Sequence, residues 1–327
     1  MASPTDEPAV VSYGTRASTT HVVRRGPHLF HWRRTPGESA VRAADLPPLP
    51  VLRLFGEQPA GSAVRFAVPR AAEQPSRRPE PRPAERRVLV YELPDSVSIG
   101  WHLLAGAAVP RQYTDVVLRV GAAVRTLHHS PASTAPHRPV PWLGGLRDWL
   151  SGRPDALSER LVRRIGGDRC ARLARWAEDA AAVTGSVVLG TLSPGVIVVD
   201  GRDRTAHVLV GAEAGHGAPE LDVGAFAEAL STSVDVALAG AHHGPDELDY
   251  PSLWQAFVTG YGPGRPGDEP VRRAAVLRRV HRLRSMSSHI GDNAFLQDQV
   301  DRLPELIDHE GRPLIPAQGH GATAWER

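Results

Sequence analysis

Glu213 and His216 form a residue pair that can perform general acid–base chemistry. Imidazole is the side chain that ordinarily titrates near neutral pH, and a neighbouring carboxylate can orient it as a base. Glu213 can therefore hold His216 ready to accept a proton from a nucleophile. The alternative is a structural role, in which Glu213 caps or braces the loop that follows it.

The segment just before this pair combines turn residues with an apolar strand. It runs from Leu189 to Asp200 as Leu-Gly-Thr-Leu-Ser-Pro-Gly-Val-Ile-Val-Val-Asp. It resembles the catalytic loop of the aminoglycoside phosphotransferase and choline kinase-like family, which reads His-Gly-Asp-Leu-x-x-x-Asn before an apolar strand. In this match Leu189 stands at the histidine position, Thr191 at the catalytic aspartate position and Val196 at the metal-binding asparagine position.

Two further segments resemble motifs of the same family. The strand from His207 to Val210 leads into Gly211-Ala212-Glu213, where the family has Asp-x-Glu and the aspartate binds magnesium. Glu213 matches the second acid, but Gly211 replaces the first. Pro-Glu-Leu-Asp-Val-Gly, which contains Asp222, resembles the Pro-x-x-Asp-Leu-Gly signature. The resemblance implies that Asp222 braces the loop.

These replacements predict a pseudokinase. Phosphoryl transfer depends on positioned metal ions and on an acid that orients the nucleophile. Thr191, Val196 and Gly211 can supply neither, so we expect no nucleotide or metal cofactor. The histidine pairs His128-His129 and His242-His243 also lack metal-ligand spacing. One alternative stays open, an atypical phosphotransferase that uses Glu213, Asp200 or Asp222.

The resemblance spans residues 12 to about 290 and implies an α+β fold. That fold is bilobal and protein kinase-like, with a β-rich small lobe and a mostly helical large lobe. The expected divisions are a disordered tail at 1–10, a small lobe at 11–95 with a Pro/Arg-rich loop at 70–87, a large lobe at 96–310 and a flexible tail at 311–327.

Several small-lobe elements follow from local pattern. The β-rich runs on either side of Gly26-Pro27 predict a hairpin. Val51–Phe55 and Val64–Val68 are predicted strands, and residues 38–45 leave room for a truncated helix only. The segment 88–94 resembles the strand and hinge where an adenine base would bind. Arg33 falls at the position of a nucleotide-contacting base.

The rest of the chain is predicted to be helical. Apolar spacing and breakers indicate helices at 113–128, 158–165, 168–183, 223–239, 252–261, 269–289 and 294–307. The helix at 269–289 is rich in arginine, notably Arg272, Arg273, Arg278, Arg279 and Arg282. These arginines form either a solvated face or a surface that binds an acidic peptide or a phosphate-bearing partner.

Bulk composition excludes several classes of protein. The chain has 327 residues with a formal net charge of +2, which is too mild to argue for nucleic-acid binding. Its single cysteine, Cys170, excludes an internal disulfide. There is no signal peptide and no apolar run long enough to cross a membrane, so we expect a cytoplasmic protein. Every basic residue counted as Lys+Arg is arginine, which is typical of a GC-rich, actinobacterial genome.

Three functional hypotheses follow. The first is a pseudokinase of ribosomal peptide natural-product biosynthesis, similar to phosphotransferase-like proteins of class V lanthipeptide and thioamitide clusters. It would bind a peptide with an acidic leader and act as a cyclase, guiding cysteine addition to a dehydroamino acid without nucleotide. The second is a scaffold or allosteric partner of an active kinase or lyase. The third is the atypical small-molecule phosphotransferase.

Overall fold

The computed structural model describes most of the chain. The described residues are 9–14, 18–36, 46–56, 61–72, 88–105, 111–130, 137–152, 156–240, 250–262, 267–290 and 294–315. Within these ranges no helix combines the length and apolar character needed to cross a bilayer. The predicted tail at 1–10, the truncated helix at 38–45 and the Pro/Arg-rich loop at 70–87 lie largely or wholly outside them.

An antiparallel five-stranded sheet forms the N-terminal part of the protein. Its strands are β1 (Val11–Gly14), β2 (Ser18–Gly26), β3 (Leu29–Pro36), β5 (Arg70–Ala72) and β6 (Val88–Leu93), in the order β1-β2-β3-β6-β5. The predicted hairpin around Gly26-Pro27 is confirmed, since β2 pairs with β3 through that turn. Strand β3 lies at the centre, paired with β2 on one side and β6 on the other.

The predicted strand at Val51–Phe55 is wrong, because these residues lie in helix α1 (Leu49–Gly56). Val51, Leu52 and Phe55 are the buried residues, and their spacing places them on one face of a helix. Val51 and Leu52 donate their backbone N–H groups to the Pro48 carbonyl, which begins the helix. A short apolar run fits either a strand or a helix. Here the packing of the apolar face formed by Val51, Leu52 and Phe55 favours the helix.

Two small sheets follow the five-stranded one. Strand β4 (Val64–Ala67) pairs in parallel with β9 (Ala206–Leu209), which pairs antiparallel with β8 (Ile197–Val199). A second pair joins β7 (Ser186–Val188) to β10 (Gly215–Gly217). Strand β4 therefore connects the N-terminal part of the chain to the segment that carries the predicted catalytic-loop motif.

The remainder is mostly helical, so the predicted α+β class is confirmed. The helices are α2 (Ile99–Leu104), α3 (Arg111–His128), α4 (Pro141–Ser151), α5 (Ala156–Ile165), α6 (Gly167–Ala182), α7 (Glu220–Gly240), α8 (Tyr250–Tyr261), α9 (Glu269–Ile290), α10 (Ala294–Asp301) and α11 (Leu303–Asp308). Every helix predicted between residues 113 and 307 is present. The one predicted at 294–307 is divided in two, with Pro304 in the first turn of α11, since proline cannot continue a helix from within.

Helix α9 is the central helix of this region. Its buried apolar residues are Val271, Ala274, Ala275, Val276, Leu277, Val280 and Leu283. The C-terminal segment packs on it, since Leu314 is buried and a side chain at Gly311 would overlap the Arg272 carbonyl. The predicted flexible tail is therefore wrong for residues 311–315, and residues 316–327 lie outside the described ranges.

Candidate functional site

The carboxylate of Asp222 holds the loop that resembles a catalytic loop. Its Oδ2 accepts the Leu189 N–H at 2.7 Å, and its Oδ1 accepts the Gly190 N–H at 2.7 Å. His128 Nε2 lies 3.1 Å from Oδ2, and His128 Nδ1 lies 2.9 Å from the Tyr261 hydroxyl. Asp222 is completely buried, and these partners satisfy its charge. The bracing role predicted for it is confirmed.

Gly190 has a conformation that fixes the loop from its other side. Its φ of 73° lies in the left-handed region, and an added Cβ would overlap the Glu213 carbonyl oxygen. The Gly190 carbonyl accepts the indole N–H of Trp142 at 2.7 Å. The loop backbone is therefore held by three hydrogen bonds from fully buried side chains of α4 and α7.

The positions that carry chemistry in the resembled family hold other side chains here. Leu189 is buried in the main apolar core. A Cβ added at Gly211 would lie 3.9 Å from Thr191 Oγ1, so these two positions face each other. Val196 ends a 3₁₀ turn (Pro194–Val196), and its half-buried side chain packs on the apolar core. Leu189, Thr191 and Val196 belong to one loop, Gly211 faces that loop from the segment after β9, and none of the four carries a charge.

The nearby carboxylates of Asp200 and Glu213 form hydrogen bonds with other groups of the protein. Asp200 accepts the Arg202 backbone N–H at 2.9 Å and its guanidinium at 2.7 Å, which lowers the pKa of Asp200 to about 2. Glu213 Oε2 accepts the Trp142 N–H at 2.7 Å and so caps the start of α4. Burial raises the pKa of Glu213. Among the described residues, no group of three or more His, Cys, Asp or Glu side chains is placed to share a metal ion. The residues present do not fit magnesium or a magnesium-bound nucleotide.

Glu213 and His216 have different partners. His216 Nδ1 accepts the Arg138 N–H at 3.1 Å, and its backbone N–H donates to the Arg138 carbonyl at 2.6 Å. Burial and the neighbouring His137 lower the pKa of His216. The Glu213 carboxylate binds the start of α4 instead. The contacts therefore favour the capping role of Glu213 over a role in orienting His216.

The five arginines considered for peptide binding do not share one surface. Arg279 is buried and binds Glu228, Asp235, Ser231 and Gln299, so its assignment to an exposed peptide-binding face is wrong. The interpretation as a solvated face fails for Arg279 for the same reason. Arg272 donates to the Gly267 carbonyl, and Arg273 pairs with Glu269 and Glu310.

Arg278 and Arg282 differ from Arg272, Arg273 and Arg279 in their surroundings. They lie one helical turn from each other and face a cavity of about 370 Å³. The cavity lies between the five-stranded sheet, α2, the loop at 192–195, α7 and α9. Helix α2 approaches the loop so closely that a Cβ on Gly100 would lie 2.6 Å from the Gly195 Cα. The cavity is thus a cleft between the sheet and the helical region, next to the braced loop.

Two residues of β3 contribute to this cleft. Side chains alternate along a strand, so Trp32 and Arg34 share a face and line the cavity, while Arg33 points to the other face. The position predicted for Arg33 therefore belongs to Arg34. Trp32 is buried, and its indole N–H donates to the Asp95 carbonyl at 2.8 Å. Neither Trp32 nor Arg34 was assigned to the cleft from the sequence. Once Arg34 is known to line it, the alternation of side chains along a strand places Trp32 there too.

Comparison with solved structures identifies proteins of the same fold. The microcompartment-associated aminopropanol kinase aligns with a TM-score of 0.55 at 15% identity, covering 93% of this chain and 94% of its own. Amicoumacin kinase hAmiN, in complex with AMP-PNP, Ca²⁺ and Ami, aligns with a TM-score of 0.56 at 11% identity, covering 96% and 91%. No protein-family model and no curated protein matches the chain. The protein therefore has a kinase-like phosphotransferase fold.

The Asp222 brace leads to a stability prediction. We expect Asp222→Ala to lower the free energy of unfolding by about 3–5 kcal/mol, because it leaves two buried backbone N–H groups and His128 without their acceptor. Urea denaturation measures this loss. Asp115→Ala, an exposed aspartate of α3, is the matched control and should change stability by less than about 0.5 kcal/mol. Equal effects of the two substitutions would contradict the bracing role.

His281 leads to a prediction about pH. Its ring packs against Trp142 at a centroid distance of 5.3 Å, and its Nδ1 has no hydrogen-bond partner among the described residues. Burial, helped by Arg278 and Arg284, lowers its pKa from 6.5 to about 3. Below pH 6.5 the unfolded chain therefore binds a proton that the folded protein excludes, and stability falls as pH falls.

We expect this histidine to account for a loss of about 2 kcal/mol in the free energy of unfolding between pH 7 and pH 5. His281→Phe removes the titrating group and keeps an aromatic ring, so its loss over the same interval should be smaller by that amount. His28→Gln, an exposed histidine, is the control and should behave like the wild type. Identical pH profiles for wild type and His281→Phe would refute the assignment.

Proposed function

We propose that this protein is a pseudokinase that uses a kinase-like fold to bind a peptide without transferring phosphate. One observation carries the proposal: Asp222 and Trp142 hold the loop backbone through buried hydrogen bonds, while the positions that carry chemistry in the resembled family hold Thr191, Val196 and Gly211. Phosphoryl transfer needs metal ions that neutralise the phosphates. The carboxylates Asp200, Asp222 and Glu213 are each bonded to groups of the same chain, which argues against the atypical phosphotransferase.

The position of Trp32 supports nucleotide independence. The strand β6 and the residues after it resemble the hinge that binds an adenine base. Trp32 places a bicyclic aromatic ring beside this segment and donates an N–H to the Asp95 carbonyl at 2.8 Å. An adenine amino group would need the same kind of acceptor. The protein's own side chain therefore takes the place that the resemblance reserves for a nucleotide base.

The proposed pseudokinase role favours a peptide as the ligand. The cleft next to the braced loop keeps a cavity of about 370 Å³, within the size range of sites that bind small ligands or a few side chains. Positioning a peptide can by itself accelerate an intramolecular reaction such as cysteine addition to a dehydroamino acid. Glu213 and His216 are engaged elsewhere, so the proposed contribution to such a cyclisation is positioning. This role fits natural-product peptide biosynthesis.

Nucleotide binding tests the proposal directly. We expect magnesium to add nothing to any effect of ATP on the melting temperature of the wild type, because no group of metal ligands is present among the described residues. A functional site at a hundredfold excess of ligand over Kd would stabilise the fold by about 2.7 kcal/mol, which a thermal shift detects readily. A magnesium-dependent shift, or transfer of the ATP γ-phosphate to any acceptor, would contradict the proposal.

A variant with restored acids is the matched control for this experiment. Thr191 and Gly211 face each other, so Thr191→Asp combined with Gly211→Asp places two carboxylates together. Mn²⁺, which suits oxygen ligands, should bind this variant more tightly than the wild type in a titration followed by electron paramagnetic resonance. Equal Mn²⁺ affinity for the two proteins would show that these positions do not form the lost metal site.

Trp32 gives a second prediction. Trp32→Ala should lower the free energy of unfolding by about 3–5 kcal/mol and leave a cavity beside the Asp95 carbonyl. Millimolar indole or adenine should then raise the melting temperature of this variant but not that of the wild type. Trp254→Ala, which removes a buried tryptophan from the main core, is the control and should gain nothing from adenine. Adenine that stabilises the wild type equally would refute the occlusion.

A further inference from the structure

The cleft cavity carries more cationic than anionic side chains. Arg278 and Arg282 enter it from α9, and Arg34 enters it from β3 on the opposite wall. Glu228 of α7 is the acid that lines it among the described residues. The remaining lining is mainly apolar or hydroxylic. A cavity of this kind attracts an anion, provided that the glutamate does not already neutralise the arginines.

Glu228 is already saturated. Its Oε1 accepts the Arg279 Nε–H at 2.7 Å, the Arg282 Nε–H at 2.9 Å and the Thr232 hydroxyl at 2.8 Å. Burial alone would raise the pKa of Glu228, but the charges of Arg282 and Arg279 outweigh burial and hold that pKa at about 2. Arg279 lies behind the cavity wall and also pairs with Asp235. Glu228 is therefore shared between Arg279 and Arg282, and among the described residues Arg278 has no carboxylate bonded to it.

Arg282 and Arg278 retain unused donors. Arg282 Nη2 is buried and has no hydrogen-bond partner among the described residues. The Arg278 guanidinium lies over the Trp142 ring, 5.4 Å from its centroid, and no described carboxylate lies within ion-pair distance of it. Burial lowers the pKa of both guanidinium groups, which indicates that each lacks the solvation of an exposed arginine. Arg278 is a half-buried cation with no bonded carboxylate among the described residues, and Arg282 keeps one unpaired N–H beside it, so an anion supplied by a ligand would stabilise both.

The mouth of the cavity is apolar and exposed. Trp101 and Leu104 of α2 line it with exposures of 43% and 55%. The Trp101 ring packs against Tyr13 with centroids 5.8 Å apart, so it is held in place on one side only. Large apolar side chains exposed at the rim of a cation-lined cavity are typical of a site for a ligand with an acidic group and an apolar body.

We propose that Arg278 and Arg282 clamp an oxyanion of the ligand in this cleft, while Trp101 and Leu104 bind an adjoining apolar group. Paired guanidinium groups suit a carboxylate or a phosphate because their donors match its oxygens bidentately. The peptide source of this oxyanion rests on the proposed function, and the clamp itself does not. The occupant is an acidic side chain of a peptide, flanked by an apolar residue.

Calorimetric titration of the full chain with two matched peptides tests this inference. The probes are an acetylated, amidated hexapeptide of alternating glutamate and leucine and its counterpart with glutamine in place of glutamate. We expect the glutamate peptide to bind at least tenfold more tightly than the glutamine peptide, with an affinity that falls as NaCl rises. Phenyl phosphate and inorganic phosphate are titrated in parallel, as ligands that carry the oxyanion without a peptide.

Variants assign the binding to the clamp. Arg278→Gln and Arg282→Gln should each lower the affinity for the glutamate peptide at least tenfold. Arg278→Lys keeps the charge but loses the forked guanidinium, so its affinity should lie between those of the wild type and Arg278→Gln. Trp101→Ala should lower the affinity for the glutamate peptide and for phenyl phosphate but leave the affinity for inorganic phosphate unchanged. Arg147→Gln, an exposed arginine of α4, is the control and should bind as the wild type does. Each variant is accepted only with a cooperative unfolding transition.

The outcomes separate this inference from the proposed function. A glutamate peptide that binds every arginine variant as it binds the wild type would overturn the clamp and leave peptide binding standing. Phenyl phosphate that binds through Arg278 and Arg282, with no binding of either peptide, would support the clamp and contradict a peptide ligand. Absence of binding by all four probes would overturn the clamp, as would equal binding of the glutamate and glutamine peptides.

Discussion

The site depends on one buried carboxylate. Asp222 accepts two consecutive backbone N–H groups, from Leu189 and Gly190, and contacts His128, so its charge is fully satisfied without solvent. Removing such a charge from water is costly, and the arrangement is stable only when every partner is present. The loop, α7 and α3 are therefore fixed to one another through a single side chain. The positions of Thr191, the 3₁₀ turn and the cleft wall at 192–195 all follow from this anchor.

The anchor shows how a kinase-like fold can hold this loop whichever side chains the loop carries. Asp222 acts on backbone N–H groups, which every residue except proline provides, so the side chains of the loop are free to change. Leu189 and Val196 are accommodated because they pack on the apolar core, and Thr191 faces Gly211. The backbone N–H groups of the loop provide its structural support, and its side chains are not needed for that support. A retained fold consequently says little about retained catalysis.

Much of the fold was predictable from sequence, because strong periodicity and turn signals mark the β2–β3 hairpin and the long helices. The short run Val51–Phe55 was not, since four apolar residues in a run of five fit either a strand or a helix until their packing partners are known. The helix α9 was correctly placed, but its arginines were not. Arg279 is buried because Glu228 and Asp235, which lie 51 and 44 positions away in sequence, meet it in space. No local pattern contains that information, and the cleft itself depends on such contacts.

Trp32 has one further consequence, which concerns reversibility. It belongs to the central strand of the five-stranded sheet, with Val22 and Tyr91 as its paired neighbours on the two sides. A loop can rearrange in microseconds, but the backbone of Trp32 is paired on both sides and moves only when the sheet itself opens. If Trp32 occupies the place of a nucleotide base as proposed, the occlusion beside Asp95 is a permanent feature of the sheet and differs from an autoinhibitory gate. A compound that binds the hinge of active kinases would then have to compete with Trp32 for the Asp95 carbonyl.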